Sequence, residues 1–231
     1  MSSERPNQPT PQERTDSQSE RIATLEALVV ALREENERLE RLAYTDELTG
    51  LPNRYKFKEE FERRSKDRIE HPDNDHENPD AILMLDLDNF KIVNDAFFGG
   101  HIQGDRILKE AAAHLADVLR KQFREDDVVA RYGGEEFTVL LKNVDTKGLM
   151  ERLKLGFVAE LDGEKIPITF SGGLTILKSG EELLAALIRA DAALYVAKED
   201  KPRKDGGIDR GRDRVLQYTD EMESLKERTS Q

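Results

Sequence analysis

The sequence predicts an α+β fold in which a central mixed or antiparallel sheet is flanked by helices and preceded by an N-terminal coiled-coil helix. Two observations lead to this prediction. From residue 81 onward the patterns follow the order strand, helix, helix, strand, strand, helix, strand, which is typical of a sheet with helices packed on its face. A continuous apolar run at residues 81–87 indicates a central strand that is covered on both sides.

Composition excludes several classes of protein. The chain has 231 residues and a net charge of -12, so it is not expected to bind nucleic acid polymers. It has no cysteine, and its four histidines lack the spacing of a zinc site. No apolar run is long enough for a transmembrane helix or a signal peptide. The expected location is therefore the cytoplasm.

The N-terminal part divides into a polar tail and a helix. Residues 1–20 are rich in Ser, Pro, Gln and charge, which predicts a disordered tail. Residues 21–45 are predicted to form a dimerising coiled-coil helix, because an a/d seam runs through Ile22, Leu25, Val29, Leu32, Asn36, Leu39 and Ala43. A buried Asn36 favours a parallel two-stranded coil. Repulsion between Glu35 and Glu40 across the seam opposes it, and an amphipathic helix packed on its own domain is the alternative.

The main globular region begins with a helix break at Gly50 and Pro52. Asn53 is expected to cap the next helix, at residues 54–68, and residues 69–80 read as a polar loop. An amphipathic helix follows at 105–123. Further elements are predicted as a helix at 145–161, a strand at 166–177 interrupted by two glycines, a helix at 180–198, a loop at 199–213, a strand at 214–218 and a polar tail at 219–231.

Acidic residues end the central strand. Asp86 and Asp88 are two residues apart, so their side chains point to the same side. Asp88 is interpreted as the N-cap of a short helix at 89–95, but this does not explain Asp86, since a buried acid needs a cation as partner. The first amides of that helix are placed to hold a phosphate group, with Lys91 close by.

A second acidic group lies at the tip of a predicted hairpin. The letters RYGGEEF at residues 131–137 combine a glycine turn with Glu135 and Glu136. If this tip adjoins the end of the central strand, Asp86 and both glutamates surround one site. Oxygen ligands without His or Cys favour Mg²⁺ or Mn²⁺, and such a site suits phosphoryl or nucleotidyl transfer. The alternative is an ordinary hairpin with solvated glutamates.

Together these motifs resemble those of the GGDEF-family diguanylate cyclases. The resemblance covers residues 46–218 and rests on four segments: DELTGLPNR at 46–54, DLDNFKIVND at 86–95, GGEEF at 133–137 and ALYVAK at 193–198. Several motifs in the right order are a specific signal. The resemblance implies a ferredoxin-like sheet of the nucleotidyl-cyclase or palm type.

The resemblance also implies an activity. The family condenses two GTP molecules into cyclic di-GMP and two pyrophosphates, with one GTP held by each subunit of a homodimer. Asp86, the backbone carbonyl of Leu87, and Glu135 are then expected to bind metal, with two Mg²⁺ or Mn²⁺ ions per active site. Glu135 is also expected to help deprotonate the attacking hydroxyl group, and Glu136 to support it.

Substrate contacts follow from the same motifs. Amides of Asn89, Phe90 and Lys91 are expected to cradle phosphates, with the Lys91 ammonium group stabilising transition-state charge. Asn94 and Asp105 are expected to read the guanine edge, which favours GTP over ATP. The remaining expected substrate contacts are His101, Lys198 and Arg212.

Arg124 and Asp127 lie at the spacing of the family's inhibitory product site, where cyclic di-GMP binds. The alternative for these two residues is an ordinary surface ion pair. The resemblance thus implies product feedback inhibition.

Two segments depart from the family pattern. Residues 96–100 form a longer link before His101, which puts the position of Asp105 relative to Asn94 in question. Residues 199–210 separate Lys198 from Arg212, so Lys201, Arg203 or Lys204 are candidate substitutes for the arginine. Rival functions are an inactive receptor for cyclic di-GMP, an enzyme that makes a mixed or adenine dinucleotide, and a coiled-coil adaptor.

Overall fold

The structure is a computed structural model that describes residues 11–71, 78–96, 101–122, 126–153, 155–161, 163–202, 208–209 and 211–222. The helices are α1 Pro11–Tyr44, α2 Arg54–Glu70, α3 Phe90–Ala96, α4 His101–Gln122, α5 Thr146–Arg152 and α6 Leu183–Lys198. The strands are β1 Ala81–Leu87, β2 Val128–Gly133, β3 Glu136–Leu141, β4 Phe157–Leu161, β5 Glu164–Ile168, β6 Phe170–Ile176, β7 Lys201–Pro202, β8 Ile208–Asp209 and β9 Val215–Gln217.

Helix α1 forms the first of two units, which divide between Ala43 and Tyr44. It begins at Pro11, so residues 11–20, predicted as part of a disordered tail, are helical here. The apolar seam residues Ile22, Leu25, Val29, Leu32 and Leu39 are 45–60% exposed. No helix in the described parts of the chain combines the length and apolar composition needed to cross a membrane.

The second unit is built on a five-stranded sheet of order β2-β3-β1-β6-β9. Only β9 runs parallel to its neighbour, and the other pairs are antiparallel. Every residue of β1 is buried, because Leu83 and Leu85 pack towards α4 while Ile82 and Met84 pack towards α2 and α6. The sheet with helices on both faces confirms the predicted α+β fold and the central position of β1.

The predicted helix at 145–161 is wrong in its second half. Helix α5 ends at Arg152, and residues Phe157–Leu161 form β4. In that strand Ala159 and Leu161 are buried while Val158 and Glu160 are exposed, which is the alternation of a strand. Phe157 and Leu161 are four residues apart, so their spacing satisfies the period of a helix and that of a strand equally well.

The predicted single strand at 166–177 is also corrected. Strand β5 pairs with β4 in a separate two-stranded sheet, and β6 belongs to the main sheet. Gly172 and Gly173 do not interrupt β6. A Cβ at Gly173 would overlap the Ala190 carbonyl oxygen and the Leu194 amide, so the glycine lets α6 pack directly on the strand. The predicted loop at 199–213 contains the short hairpin of β7 and β8.

Replacement of Gly173 by alanine tests this close packing. Because the added Cβ has no space against α6, we expect Gly173→Ala to lower the free energy of unfolding by about 2 kcal/mol, measured by urea denaturation. Gly133→Ala is the control, since a Cβ there has no atom within 4 Å. A Gly173→Ala protein as stable as wild type would show that the packing of α6 on β6 does not require glycine at this position.

Candidate active site

The register of β1 against β3 brings the two acidic segments together. Asp86 lies opposite Glu136 in the antiparallel ladder, and the Leu87 amide donates to the Glu135 carbonyl oxygen at 3.3 Å. This confirms the prediction that the end of the central strand and the hairpin tip are neighbours. Three carboxylates, from β1, the hairpin turn and β3, therefore share one end of the sheet.

Arg131 fixes the shape of the hairpin tip. The strand register shifts between Arg131 and Gly133, and Gly134 has φ +52°, a conformation that favours glycine. The Arg131 guanidinium donates from Nε and Nη2 to the Gly134 carbonyl oxygen at 2.9 and 2.8 Å. Its Nη1 contacts both carboxylate oxygens of Asp46 at 3.1 Å. Because both ends of the guanidinium are engaged, Glu135 follows a tightly defined backbone.

Asp46 is in turn held by the turn that it begins. Its Oδ1 accepts from the amide and the hydroxyl of Thr49 at 2.9 and 2.7 Å. Sequence reasoning assigned no role to Asp46, which begins the first segment of the resemblance, or to Arg131, which lies just before the GGEEF segment. The only available signal was that Arg131 comes two residues before the glycine pair.

A cation reaches the site from the last turn of α6. The Lys198 ammonium group lies 2.5 Å from Asp86 Oδ1. Arg214 caps this helix end by donating to the carbonyl oxygens of Ala197, Val196 and Glu199 at 2.9, 3.2 and 3.0 Å. The cap positions the backbone that carries Lys198, and sequence reasoning did not identify it.

The site carries more negative than positive charge. Burial raises the pKa of the Asp86 carboxyl above its ordinary value; the Lys198 ammonium opposes this rise, and the charges of Glu135 and Asp88 add to it. Burial also raises the pKa of Glu136, and the charges of Asp86 and Glu135 raise it further. Acids that are costly to ionise together favour a bound cation.

The residues present fit a hard divalent cation. Asp86 is 9% exposed and shares its surroundings with two further carboxylates, which are the donors that Mg²⁺ and Mn²⁺ prefer. Among the residues that the structure describes, no three Asp, Glu or His side chains already converge on one point. The donor set is therefore suitable in chemistry, with one of its oxygens engaged by Lys198.

Asp88 has a different role from the one predicted. It is not a helix N-cap, because its carboxylate accepts from the hydroxyls of Thr169 and Ser171, both at 2.7 Å, and from the Asp213 amide at 2.9 Å. Helix α3 begins at Phe90, after Asn89 with φ +57°. Asp88 thus ties the end of β1 to β6 and to the segment before β9.

The predicted guanine-reading residues lie on adjacent helices. A Cβ at Gly104 would overlap the Asn94 side chain, so α3 and α4 contact each other closely at this point. Asp105 is the next residue and is exposed. The longer link therefore leaves Asn94 and the start of α4 together. Residues 97–100 and the side chain of His101 lie outside the described residues.

The second departure from the family pattern, the segment between Lys198 and Arg212, contains a short pair of strands. Strand β7 pairs with β8, and Gly211 then packs on the Glu199 carbonyl group, where a Cβ would overlap it. Arg212 Nη1 lies 3.5 Å from Asp200 Oδ1, so Arg212 returns to the end of α6. The alternatives Arg203 and Lys204, and the side chain of Lys201, lie outside the described residues.

The predicted inhibitory pair is described only in part. Arg124 lies outside the described residues. Asp127 is partly buried, and its Oδ1 accepts from the Lys142 amide at 2.7 Å. One oxygen of this carboxylate therefore secures the backbone beside the hairpin.

The raised pKa of Glu136 predicts that the ionised side chain lowers the stability of the fold. Ionised Glu136 destabilises the fold at any pH above its raised pKa, and this cost disappears as the pH falls below its ordinary pKa of 4.5. We expect Glu136→Gln to raise Tm by a few degrees at pH 8 in a chelating buffer, because the neutral amide removes the repulsion from Asp86 and Glu135, and to give little gain at pH 4.

Thermal unfolding followed by circular dichroism measures this difference. Glu160→Gln is the matched control, since Glu160 is an exposed residue of β4. A Glu136→Gln protein that is no more stable than wild type at pH 8 would contradict the account of charge in the site.

Comparison with known proteins supports the family that the sequence motifs resemble. A sequence model of the family described as "Diguanylate cyclase, GGDEF domain" matches residues 43–204. The chain is 38% identical over 187 residues to diguanylate cyclase DgcP of Pseudomonas aeruginosa, covering 78% of this chain and 26% of that protein. It is 32% identical over 208 residues to diguanylate cyclase TpbB of the same species, covering 87% of this chain and 45% of that one. The chain thus spans less than half the length of these curated relatives.

Solved structures show the same likeness. The coiled coil and GGDEF domain of DgcB from Caulobacter crescentus, solved in complex with c-di-GMP, has a TM-score of 0.69 and 30% identity, and the match covers 87% of this chain and 99% of that one. Diguanylate cyclase SiaD of Pseudomonas aeruginosa, solved with its activator SiaC, has a TM-score of 0.62, with 89% and 75% coverage. The chain belongs to the GGDEF-domain family of diguanylate cyclases.

Proposed function

We propose that this protein condenses two GTP molecules into cyclic di-GMP and releases two pyrophosphates. The observation that carries the proposal is the register that sets Asp86 opposite Glu136, with Lys198 on the same carboxylate. That arrangement supplies acids for a metal and a cation for phosphate at one end of the sheet. The relatives named diguanylate cyclase support the same activity.

Metal binding falls to Asp86, the Leu87 carbonyl and Glu135, with two Mg²⁺ or Mn²⁺ ions per active site. When bound, these ions neutralise phosphate charge and lower the pKa of a coordinated hydroxyl group. Glu135 accepts the proton of the attacking 3′-hydroxyl, and Glu136 supplies further negative charge beside it. Their positions next to β1 agree with these roles.

Substrate recognition divides between phosphate and base. The amides of Asn89, Phe90 and Lys91 stand at the start of α3, directly after β1, where they meet the phosphates together with the Lys91 ammonium group. Asn94 and Asp105 read the guanine edge, and the close approach of Asn94 to Gly104, the residue before Asp105, supports this. The further substrate contacts in this proposal are His101, Lys198 and Arg212.

The reaction needs two copies of the chain. Each copy presents one GTP, so the two sites have to face each other. The exposed apolar seam of α1 supplies the dimer contact, with Asn36 selecting a parallel pair. Because GTP is the substrate, we place the reaction in the cytoplasm.

Incubation with GTP and Mg²⁺, with products identified by mass, tests the activity. We expect cyclic di-GMP from GTP and no cyclic dinucleotide from ATP alone. Glu135→Gln should lower the rate by at least about 100-fold, since it removes the general base, while Glu160→Gln should turn over like wild type.

Three results would count against the proposal. Absence of any cyclic dinucleotide, at concentrations where the protein is dimeric, would refute the activity. Binding of cyclic di-GMP without turnover would favour the inactive receptor instead. Full turnover by Glu135→Gln would remove that residue from its proposed role.

Product inhibition is a second part of the proposal, with Arg124 and Asp127 as its site. Its support is the spacing of these residues ahead of the hairpin and the c-di-GMP complex of the DgcB structure. We expect Arg124→Ala to raise the concentration of cyclic di-GMP needed for half-inhibition by at least about tenfold, since an arginine offers paired donors to a base or phosphate.

The measurement is the initial rate against added cyclic di-GMP. Arg38→Ala is the control, because Arg38 is an exposed arginine that pairs with Glu35 within α1. An unchanged inhibition curve for Arg124→Ala would leave Arg124 as an ordinary surface residue.

A further inference from the structure

Lys198 binds the carboxylate that the proposed metal needs. Its ammonium group lies 2.5 Å from Asp86 Oδ1, with exposed side-chain fractions of 34% for Lys198 and 12% for Asp86. Lys198 therefore acts as the counterion of a largely buried carboxylate.

Such a contact competes with a second cation for the same carboxylate. The ammonium at 2.5 Å occupies one lone pair of Oδ1 and part of the space that a divalent ion would use. The ion also has to approach a carboxylate whose charge is partly neutralised. A metal ion alone must therefore break a shielded ion pair before it binds, and this cost reduces its affinity for Asp86.

The position of Lys198 allows its ion pair with Asp86 to break. It is the last residue of α6, and Arg214 holds the carbonyl groups of the preceding turn. The helix end is thus anchored, while the Lys198 side chain is a flexible four-carbon stem that is 34% exposed. A triphosphate offers the ammonium a stronger partner than one carboxylate, because it carries several negative charges.

We propose that Lys198 is an internal counterion that withholds Asp86 from free metal ions and releases it when a nucleotide triphosphate takes over the ammonium group. Metal and nucleotide then bind cooperatively, and each raises the affinity for the other by the same factor. This inference rests on the proposed function, since it assumes that Asp86 is a metal ligand and that Lys198 meets phosphate. It predicts that the metal binds more tightly once the substrate is present.

Titration with Mn²⁺ alone, without nucleotide, tests the inference. Free Mn²⁺ is measured by electron paramagnetic resonance on the full chain. We expect Lys198→Met to bind Mn²⁺ about tenfold more tightly than wild type, because the competing charge is gone. Lys198→Arg retains the charge, so its affinity should stay close to that of wild type.

Lys142→Met is the matched control. Lys142 also pairs with an aspartate, Asp126, at 2.8 Å, but it follows the opposite end of β3. Lys142→Met therefore changes the net charge by the same amount as Lys198→Met, and it should leave the affinity for Mn²⁺ unchanged. Circular dichroism confirms that each variant is folded, and a larger Mn²⁺-induced rise in Tm for Lys198→Met is the second expected readout.

The possible failures are distinguishable. If wild type binds Mn²⁺ and Lys198→Met binds it no more tightly, the counterion inference is wrong while the metal site stands. If Lys142→Met gains affinity as much as Lys198→Met, the effect is one of net charge and the inference is also wrong. If no variant binds Mn²⁺, and GTP does not restore binding, the proposed metal site itself is refuted, and the inference with it.

Discussion

The buried carboxylate of Asp86 is the constraint on which the catalytic region depends. It ends a strand whose residues are all buried, where an ionised acid loses most of its hydration. Burial and the neighbouring acids raise its pKa, and Lys198 offsets that effect. A buried acid at the end of an apolar strand needs a cation or hydrogen-bond donors beside it, and for Asp86 the fold brings Lys198 there.

The surrounding contacts meet this requirement through the backbone. Arg131 holds the Gly134 carbonyl and so sets where the hairpin acids stand. Gly173 allows α6 to lie directly on β6. Arg214 caps the end of that helix, at the residue before Lys198. Each of these residues acts on main-chain atoms, and the acids and the lysine are carried into place by them. The resulting excess of negative charge helps to raise the pKa of Asp86 and of Glu136, and the carboxylates are suitable ligands for a divalent ion.

Short sequence patterns predicted those features of the site that depend on residues close together in the chain. The apolar run of β1 and the glycine pair of the hairpin identified both acidic segments, and the register of β1 against β3 confirms the hypothesis that they adjoin. Prediction failed where one spacing satisfies two periods, as at Phe157 and Leu161, and where a side chain bonds to distant groups. Asp88 resembled an N-cap, but its partners Thr169 and Ser171 are about 80 residues away in the chain. The contacts of Arg131 and Arg214 depend on tertiary neighbours that no short motif records.

Anomalous diffraction from crystals soaked with Mn²⁺ and a non-hydrolysable GTP analogue tests the central claim most directly, because it locates the metal and Lys198 together. The account predicts a manganese peak about 2.1 Å from an Asp86 oxygen, with Glu135 beside it and the Lys198 ammonium on a phosphate oxygen. A metal bound away from Asp86, or Lys198 still paired with that carboxylate in the loaded site, would contradict it.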